Sequence, residues 1–111
     1  MGAVYAVQAE VAPGSEAEWE RWYTEHHVPE VLAEPGFLRA RKLRSVEPAG
    51  DGWTRYLVLY ELESQEAIDA YLAGSAVARL RQDHKDRFGG VTRLSRLVLT
   101  DAGVVEAARA R

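Results

Sequence analysis

Segments typical of strands and of helices follow one another in an order that constrains the fold of this chain more than any other feature. Residues 3–11 are rich in β-branched and aromatic types and predict the first strand. A helix follows from Ser15, with a kink or a fresh turn near 28–33, because Pro29 lacks a backbone donor. The later elements are strands at 36–46 and 53–62 around a turn at 48–52, helices at 65–73 and 76–87, and a strand at 91–100.

The resulting order is βαββαβ, the ferredoxin-like arrangement of the α+β class. Right-handed crossovers place both helices on the same face of a four-stranded antiparallel sheet. The sequence therefore predicts a single domain at 1–100 and a C-terminal tail at 101–111.

The third strand is apolar on both of its faces. Leu57 and Leu59 point to one side, and Val58, Tyr60 and Leu62 point to the other. The helices of one chain cover only one face of the sheet, so the second face would be a large exposed apolar patch. The fourth strand repeats the pattern, with Leu97 and Leu99 opposite Leu94 and Val98. We therefore expect the chain to form a homodimer.

Composition excludes several classes of function. The net charge of -3, with interleaved signs, argues against nucleic-acid binding. The absence of cysteine excludes thiolate metal sites and a cysteine nucleophile. No apolar run approaches the roughly 20 residues that span a bilayer, and no secretory signal is visible, so we expect a cytoplasmic protein without a membrane partner.

A helix end rich in aromatic residues and histidine precedes a Pro-Gly turn. It contains Trp22-Tyr23, His27, Pro29-Glu30-Val31 and Pro35-Gly36-Phe37. This pattern resembles the dimeric α+β-barrel superfamily over residues 3–100, above all its EthD-type members and related small bacterial proteins. Segments 60–64, 71–72 and 87–89 are also similar. The superfamily includes cofactor-free monooxygenases, polyketide cyclases, lactone isomerases and haem-degrading proteins, so the resemblance implies a fold rather than one function.

By motif position, His27 is the histidine that the resemblance singles out. Tyr23 and Glu30 lie four residues before it and three residues after it, so both could orient its imidazole. A histidine oriented in this way is a candidate general acid or base. The structural alternative is that His27 bonds a backbone carbonyl freed at Pro29.

Two arginines of the second strand are candidates for contact with substrate. Arg39 and Arg41 share a predicted face with Phe37 and Leu43, where they could bind a carboxylate or stabilise an enolate. The alternative is structural pairing with one of two acidic residues, Glu10 or Glu61.

The other candidates for ligand contact are aromatic residues and histidines: Tyr5, Trp22, His26, Tyr56, Tyr60 and His84. For the tyrosines, packing in the core is the common alternative. His26 follows the aromatic residues of the first helix and is predicted to be a core histidine. His84 lies on the inward face of the second helix, and its predicted role is also packing.

Metal and haem sites have weak support in the sequence. His26 and Glu30 are four residues apart, but no third ligand is evident, so no metal site is predicted. Haem-degrading relatives carry an iron-ligating histidine on the second helix, at a position closer to that of Gln82 than to that of His84.

Three functions remain open. The first is a homodimer that binds a small apolar or aromatic molecule between sheet and helices, with His27 supporting oxygenation, isomerisation or cyclisation without a cofactor. The second is haem binding. The third is a non-catalytic ligand-binding or assembly module in which packing closes the region around His27.

Overall fold

The computed structural model describes residues 2–109 and contains the predicted strands and helices in the predicted order. The strands are β1 (Ala3–Val11), β2 (Phe37–Arg44), β3 (Thr54–Leu62) and β4 (Thr92–Thr100). The helical segments are α1 (Glu16–Trp22), a π-helical turn (Tyr23–His27), α2 (Val28–Leu32), α3 (Gln65–Ala73), α4 (Ser75–Phe88) and a 3₁₀ turn (Gly89–Val91).

The four strands form one antiparallel sheet in the order β2-β3-β1-β4. The central strand β1 pairs with β3, where Tyr5 lies opposite Tyr60, and with β4, where Tyr5 lies opposite Val98. This is the ferredoxin-like topology that the order of elements predicts.

The core lies between the sheet and the helices. Alternate residues of β1 and β3 point into it, in agreement with the period of two that a half-buried strand shows. Each large side chain that is fully buried there stabilises the fold by about 1.5–3 kcal/mol. The largest are Trp19, Tyr23, Tyr60, Leu62, Ile68 and Leu80.

The Pro-Gly turn before β2 has a structural reason for its glycine. Gly36 has a φ of +87°, a conformation that disfavours any side chain. A Cβ atom on Gly36 would also lie 2.5 Å from the Cβ of Ala67 on α3. The Gly36 carbonyl accepts a hydrogen bond from the Glu63 N–H at 2.9 Å, so the turn holds β2 against the start of α3.

The face of the sheet opposite the helices, here called the outer face, is apolar in part. Leu57 and Leu59 of β3 are half-buried there, and Leu97 and Leu99 of β4 are 64% and 41% exposed. Val58 and Tyr60 point into the core instead, so the prediction that β3 is apolar on both faces is confirmed.

An irregularity in β2 changes the face of its first residue. The register shifts between Phe37 and Arg39, which leaves one residue unpaired. Phe37 therefore points into the core, with its ring 5.0 Å from that of Tyr71, while Arg39 and Arg41 point to the outer face. The prediction that Phe37 shares a face with the two arginines is wrong.

Beyond β4, residues 101–109 are exposed and have no regular secondary structure. The last two residues of the predicted tail, 110 and 111, lie outside the described residues. Within residues 2–109, no helix combines the length and the apolar character needed to cross a membrane.

Candidate functional site

The π-helical turn aligns three aromatic side chains along one face of the first helix. The Val28 N–H donates to the Tyr23 carbonyl five residues back, so each residue of this turn advances by less than the roughly 100° of an α-helix. His27 therefore returns to the face of Trp19 and Tyr23. The ring centroids are 4.4 Å apart for Trp19 and Tyr23 and 4.7 Å apart for Tyr23 and His27. His27 is thus carried into the core, where it is 8% exposed.

The same turn places His26 and Glu30 on the surface. Both line a groove of about 520 Å³, together with Asp83 and Arg87. The prediction that His26 is a core histidine is therefore wrong. Glu30 does not contact His27 either, since Glu30 is exposed and His27 Nδ1 has no hydrogen-bond partner among residues 2–109. The irregularity of the helix also lies one turn before the predicted kink at 28–33.

Trp22 lies between this groove and the buried histidines. Its indole lines the groove, and its ring centroid is 5.4 Å from that of His27 and 5.9 Å from that of His84. The Arg87 guanidinium lies over the outside of the indole, 5.4 Å from its centroid. Trp22 therefore forms a wall of the site.

His84 approaches His27 from α4. It is 3% exposed, as its inward position on the helix predicts, and the two imidazole centroids are 5.8 Å apart. Trp19 Nε1–H donates to His84 Nε2 at 3.0 Å. Because Nε2 is the acceptor, the neutral His84 ring carries its hydrogen on Nδ1.

The two imidazoles line a cavity of about 20 Å³ between the sheet and the helices. A cavity of this volume holds about one water molecule. Its polar lining consists of two imidazoles, four phenols and two guanidinium groups: His27, His84, Tyr5, Tyr23, Tyr60, Tyr71, Arg81 and Arg96.

Burial keeps both imidazoles of this cavity, and the phenols of Tyr23 and Tyr71, uncharged at neutral pH. Burial, together with the neighbouring His84, lowers the pKa of His27 to about 4. Burial and the charge of Arg96 lower the pKa of His84 to about 4. Burial raises the pKa of both Tyr23 and Tyr71 to about 12. The charge beside the imidazoles is therefore positive and comes from arginine.

Besides His26 and Glu30, three further residues predicted for the site lie elsewhere. Arg39 and Arg41 are on the outer face, on the far side of the sheet from His27, so the prediction that they stabilise charge beside His27 is wrong. Arg39 Nη2 instead pairs with Glu61 Oε1 at 3.0 Å, which is the structural alternative. Tyr56 packs against Trp19 at 4.9 Å, near the start of the helix, and does not line the cavity.

Sequence reasoning missed three residues of the cavity, namely Tyr71, Arg81 and Arg96. A signal for two of them exists in the sequence. Arg96 interrupts the apolar face that Leu94 and Val98 define on β4, and Arg81 lies three residues before the inward-facing His84 on α4. A cation within an apolar pattern indicates a site more often than a cation on a polar face does.

A comparison with curated protein sequences finds no match. Solved structures do match over nearly the whole chain. The haem-degrader MhuD from Mycobacterium tuberculosis, solved with two haems bound in its active site, is 31% identical, covering 94% of this chain and 99% of its own, with a TM-score of 0.66. SnoaB from Streptomyces nogalater, a cofactor-independent oxygenase, is 16% identical to this chain. The match covers 96% of this chain and 100% of SnoaB, with a TM-score of 0.69.

An EthD-family protein from Bacillus halodurans is 14% identical, covering 89% of this chain and 98% of its own, with a TM-score of 0.65. These neighbours confirm the fold that the sequence motif implies. Residues 2–101 match the family described as a domain of unknown function, DUF4286. The chain therefore belongs to the DUF4286 family, and it has the ferredoxin-like α+β fold of these solved structures.

Proposed function

We propose that this protein binds a small, mostly apolar organic molecule in the cleft between sheet and helices, and that His27 moves a proton to or from it. One observation carries the proposal. His27 lines a cavity together with phenols and guanidinium groups, and its buried Nδ1 has no hydrogen-bond partner within residues 2–109. A buried polar atom without a hydrogen bond destabilises the folded protein by about 1–3 kcal/mol. A ligand that forms a hydrogen bond with this atom would remove that destabilisation.

The chemistry of the lining supports removal of a proton from an acidic C–H or O–H group. A neutral imidazole has one nitrogen that accepts a proton, and burial keeps His27 neutral at pH 7. The ligand anion that forms would be stabilised by Arg96 and by the phenol hydroxyls of the cavity. A pKa of about 4 makes His27 a weak base before the reaction. The developing anion raises that pKa by 1–3 units, towards the range that suits acid–base catalysis.

The residues as arranged do not fit haem. His84 Nε2 already accepts the hydrogen bond of Trp19, and Nδ1 of the same neutral ring carries the hydrogen, so neither nitrogen of this imidazole has a free lone pair for iron. Within residues 2–109, no three His, Asp or Glu side chains are grouped to hold a metal ion. We therefore propose chemistry that uses the side chains of the protein, as the neighbour SnoaB is described as a cofactor-independent oxygenase.

We also propose that the protein is a homodimer whose copies pack their outer faces together. Leu97 and Leu99 are exposed on that face beside Leu57 and Leu59. An isologous twofold contact covers such a face with the same residues of the second copy. The contact would leave the cavity of each copy on the opposite side of its sheet.

The volume of the cavity favours a second candidate function, a non-catalytic module in which packing closes the region around His27. An organic ligand must displace side chains of this cavity, whereas a single water molecule fits it as it stands. The two candidates differ in whether any proton transfer depends on His27.

The exchange of a carbon-bound proton for deuterium measures this proton transfer, and it does not require the natural substrate. The probe is 2-tetralone, an aromatic ketone with acidic C–H groups, incubated with the protein in D2O and followed by proton NMR. We expect the wild type to accelerate exchange and His27→Gln to reduce the acceleration by about 100-fold or more. The matched control is His26→Gln, since His26 is exposed on the same turn. Exchange that persists in His27→Gln would contradict the assignment, and no acceleration by the wild type would favour the second candidate.

A further inference from the structure

We propose that the cleft beside His27 takes an organic carboxylate, held by the guanidinium groups of Arg81 and Arg96. This inference names the ligand class of the site described above and therefore rests on the proposed function. It is carried by the position of the two arginines, their lack of acidic partners and the apolar surface next to them.

The two arginines reach one cavity from opposite sides. Arg81 lies on α4, one turn before His84, and Arg96 lies on β4, opposite Val7 of β1. Both are exposed, so they form the solvent side of the cavity that the buried His27 and His84 line on the inside. A ligand that enters between α4 and β4 would meet the arginines first.

A hydrogen bond orients one of the two guanidinium groups. Arg81 Nη2 donates to the hydroxyl of Tyr5 at 2.8 Å. The Tyr5 ring packs in turn against Tyr60 and Tyr71, with centroids 6.0 and 5.9 Å away. One nitrogen of Arg81 is thus fixed by the core, and its other N–H groups remain as donors for a carboxylate.

Neither arginine is paired with a carboxylate among residues 2–109, in contrast to three arginines that are. Arg39 pairs with Glu61, Arg93 with Asp51 and Glu10, and Arg87 with Asp83. The pairing of Arg87 also engages Asp83, the acidic residue whose charge acts on both buried histidines. Two positive charges therefore remain at the entrance of the cavity, in a chain whose net charge is -3.

The geometry of arginine and the surface behind it define the ligand. A planar guanidinium matches the two oxygens of a carboxylate, and charge-assisted bonds of this kind are stronger than neutral ones. Leu80 and Leu94 line the same cavity as the two arginines. The ligand is therefore a carboxylate attached to a compact apolar or aromatic body, with its charged end at the solvent side.

Calorimetric titration with an acid and its amide tests the inference, because the two probes differ in charge and share a ring. We would use 1-naphthoate and 1-naphthamide with the full-length protein. We expect the wild type to bind the acid about 10- to 100-fold more tightly than the amide, and Arg81→Gln and Arg96→Gln each to remove most of that preference. Equal affinity for the two probes, or binding of neither, would overturn the inference.

The control variant is Arg79→Gln, which removes the same charge from the same helix. Arg79 is exposed and does not line the cavity, so its variant should keep the preference for the acid. An equal loss of preference in this variant would show that net charge alone is responsible, and the inference would fail. The NMR signals of the imidazoles distinguish failure of this inference from failure of the proposed function. Tight binding of the acid without a change in the His27 signal leaves the carboxylate site standing and contradicts the role of His27.

Discussion

The two buried imidazoles predict that acid destabilises this protein at a pH where its surface carboxylates are still charged. The pKa values of His27 and His84 are about 4 in the folded chain, against an ordinary value of 6.5. The unfolded chain therefore binds more protons between these two values, and stability falls as the pH falls from 6.5 towards 4. Between pH 7.5 and pH 5, the linkage relation gives a loss of about 2 kcal/mol for each imidazole. The combined loss of about 4 kcal/mol is a large part of the 5–15 kcal/mol typical of a domain.

Urea unfolding at several pH values, followed by tryptophan fluorescence at fixed protein concentration, measures this loss. We expect His27→Gln to lose about 2 kcal/mol less than the wild type between pH 7.5 and pH 5. The exposed His26, changed to Gln in the same way, should keep the wild-type dependence. Hydrogen bonds lower the pKa of Glu16 and of Asp51, and their contribution to acid sensitivity is the same in all three proteins. An identical loss in the wild type and in His27→Gln would refute the reasoning.

Three further predictions concern the turn, the outer face and haem. Gly36→Ala should lower the free energy of unfolding by about 2 kcal/mol, because alanine is strained at a positive φ and would collide with Ala67. Unchanged urea midpoints would contradict this. Leu97→Glu should convert a dimer into a monomer in light scattering, because it places a charge on the apolar outer face, at an exposed position of the edge strand β4; a wild type that is already monomeric at micromolar concentration would refute the proposed dimer. Titration with haemin should give no saturable Soret band, because Trp19 occupies Nε2 of His84. A band that His84→Ala abolishes would show the opposite.

Most of the fold was predictable because its signals are periodic. Alternation along 53–62 identified β3 and showed that both of its faces are apolar, and the structure confirms both conclusions. Glycine and proline marked the ends of elements, and Gly36 illustrates why. Its turn requires a positive φ, which glycine adopts without strain.

The site was harder to predict because two local irregularities change which way side chains point. The π-helical turn moves His27 into the core and leaves His26 outside, while an unbroken α-helix gives the stripe of Trp19, Trp22, Tyr23 and His26 that the sequence suggested. The register shift in β2 reverses Phe37 relative to Arg39 in the same way. Each irregularity amounts to a single residue, and neither has a reliable sequence signal.

The arginines of the cavity were missed for a different reason. Arg96 comes from the last strand and Arg81 from the last helix, more than 50 residues from His27 along the chain. Reasoning from local spacing around His27 considered only its near neighbours, Tyr23 and Glu30. If β4 is placed beside β1 in the predicted sheet, with Arg96 on the inner face, Arg96 comes close to His27.

The π-helical turn also has a consequence for length variation in this helix. It accommodates one surplus amino acid between Trp22 and Val28 without interrupting the αR backbone on either side. A deletion of one position between 24 and 26 would leave a regular α-helix and would keep the residues after it close to their present faces, because steps of about 100° then replace a larger number of shorter steps. Loss of a single codon within this turn should therefore leave both the scaffold and the inward direction of the pocket imidazole intact.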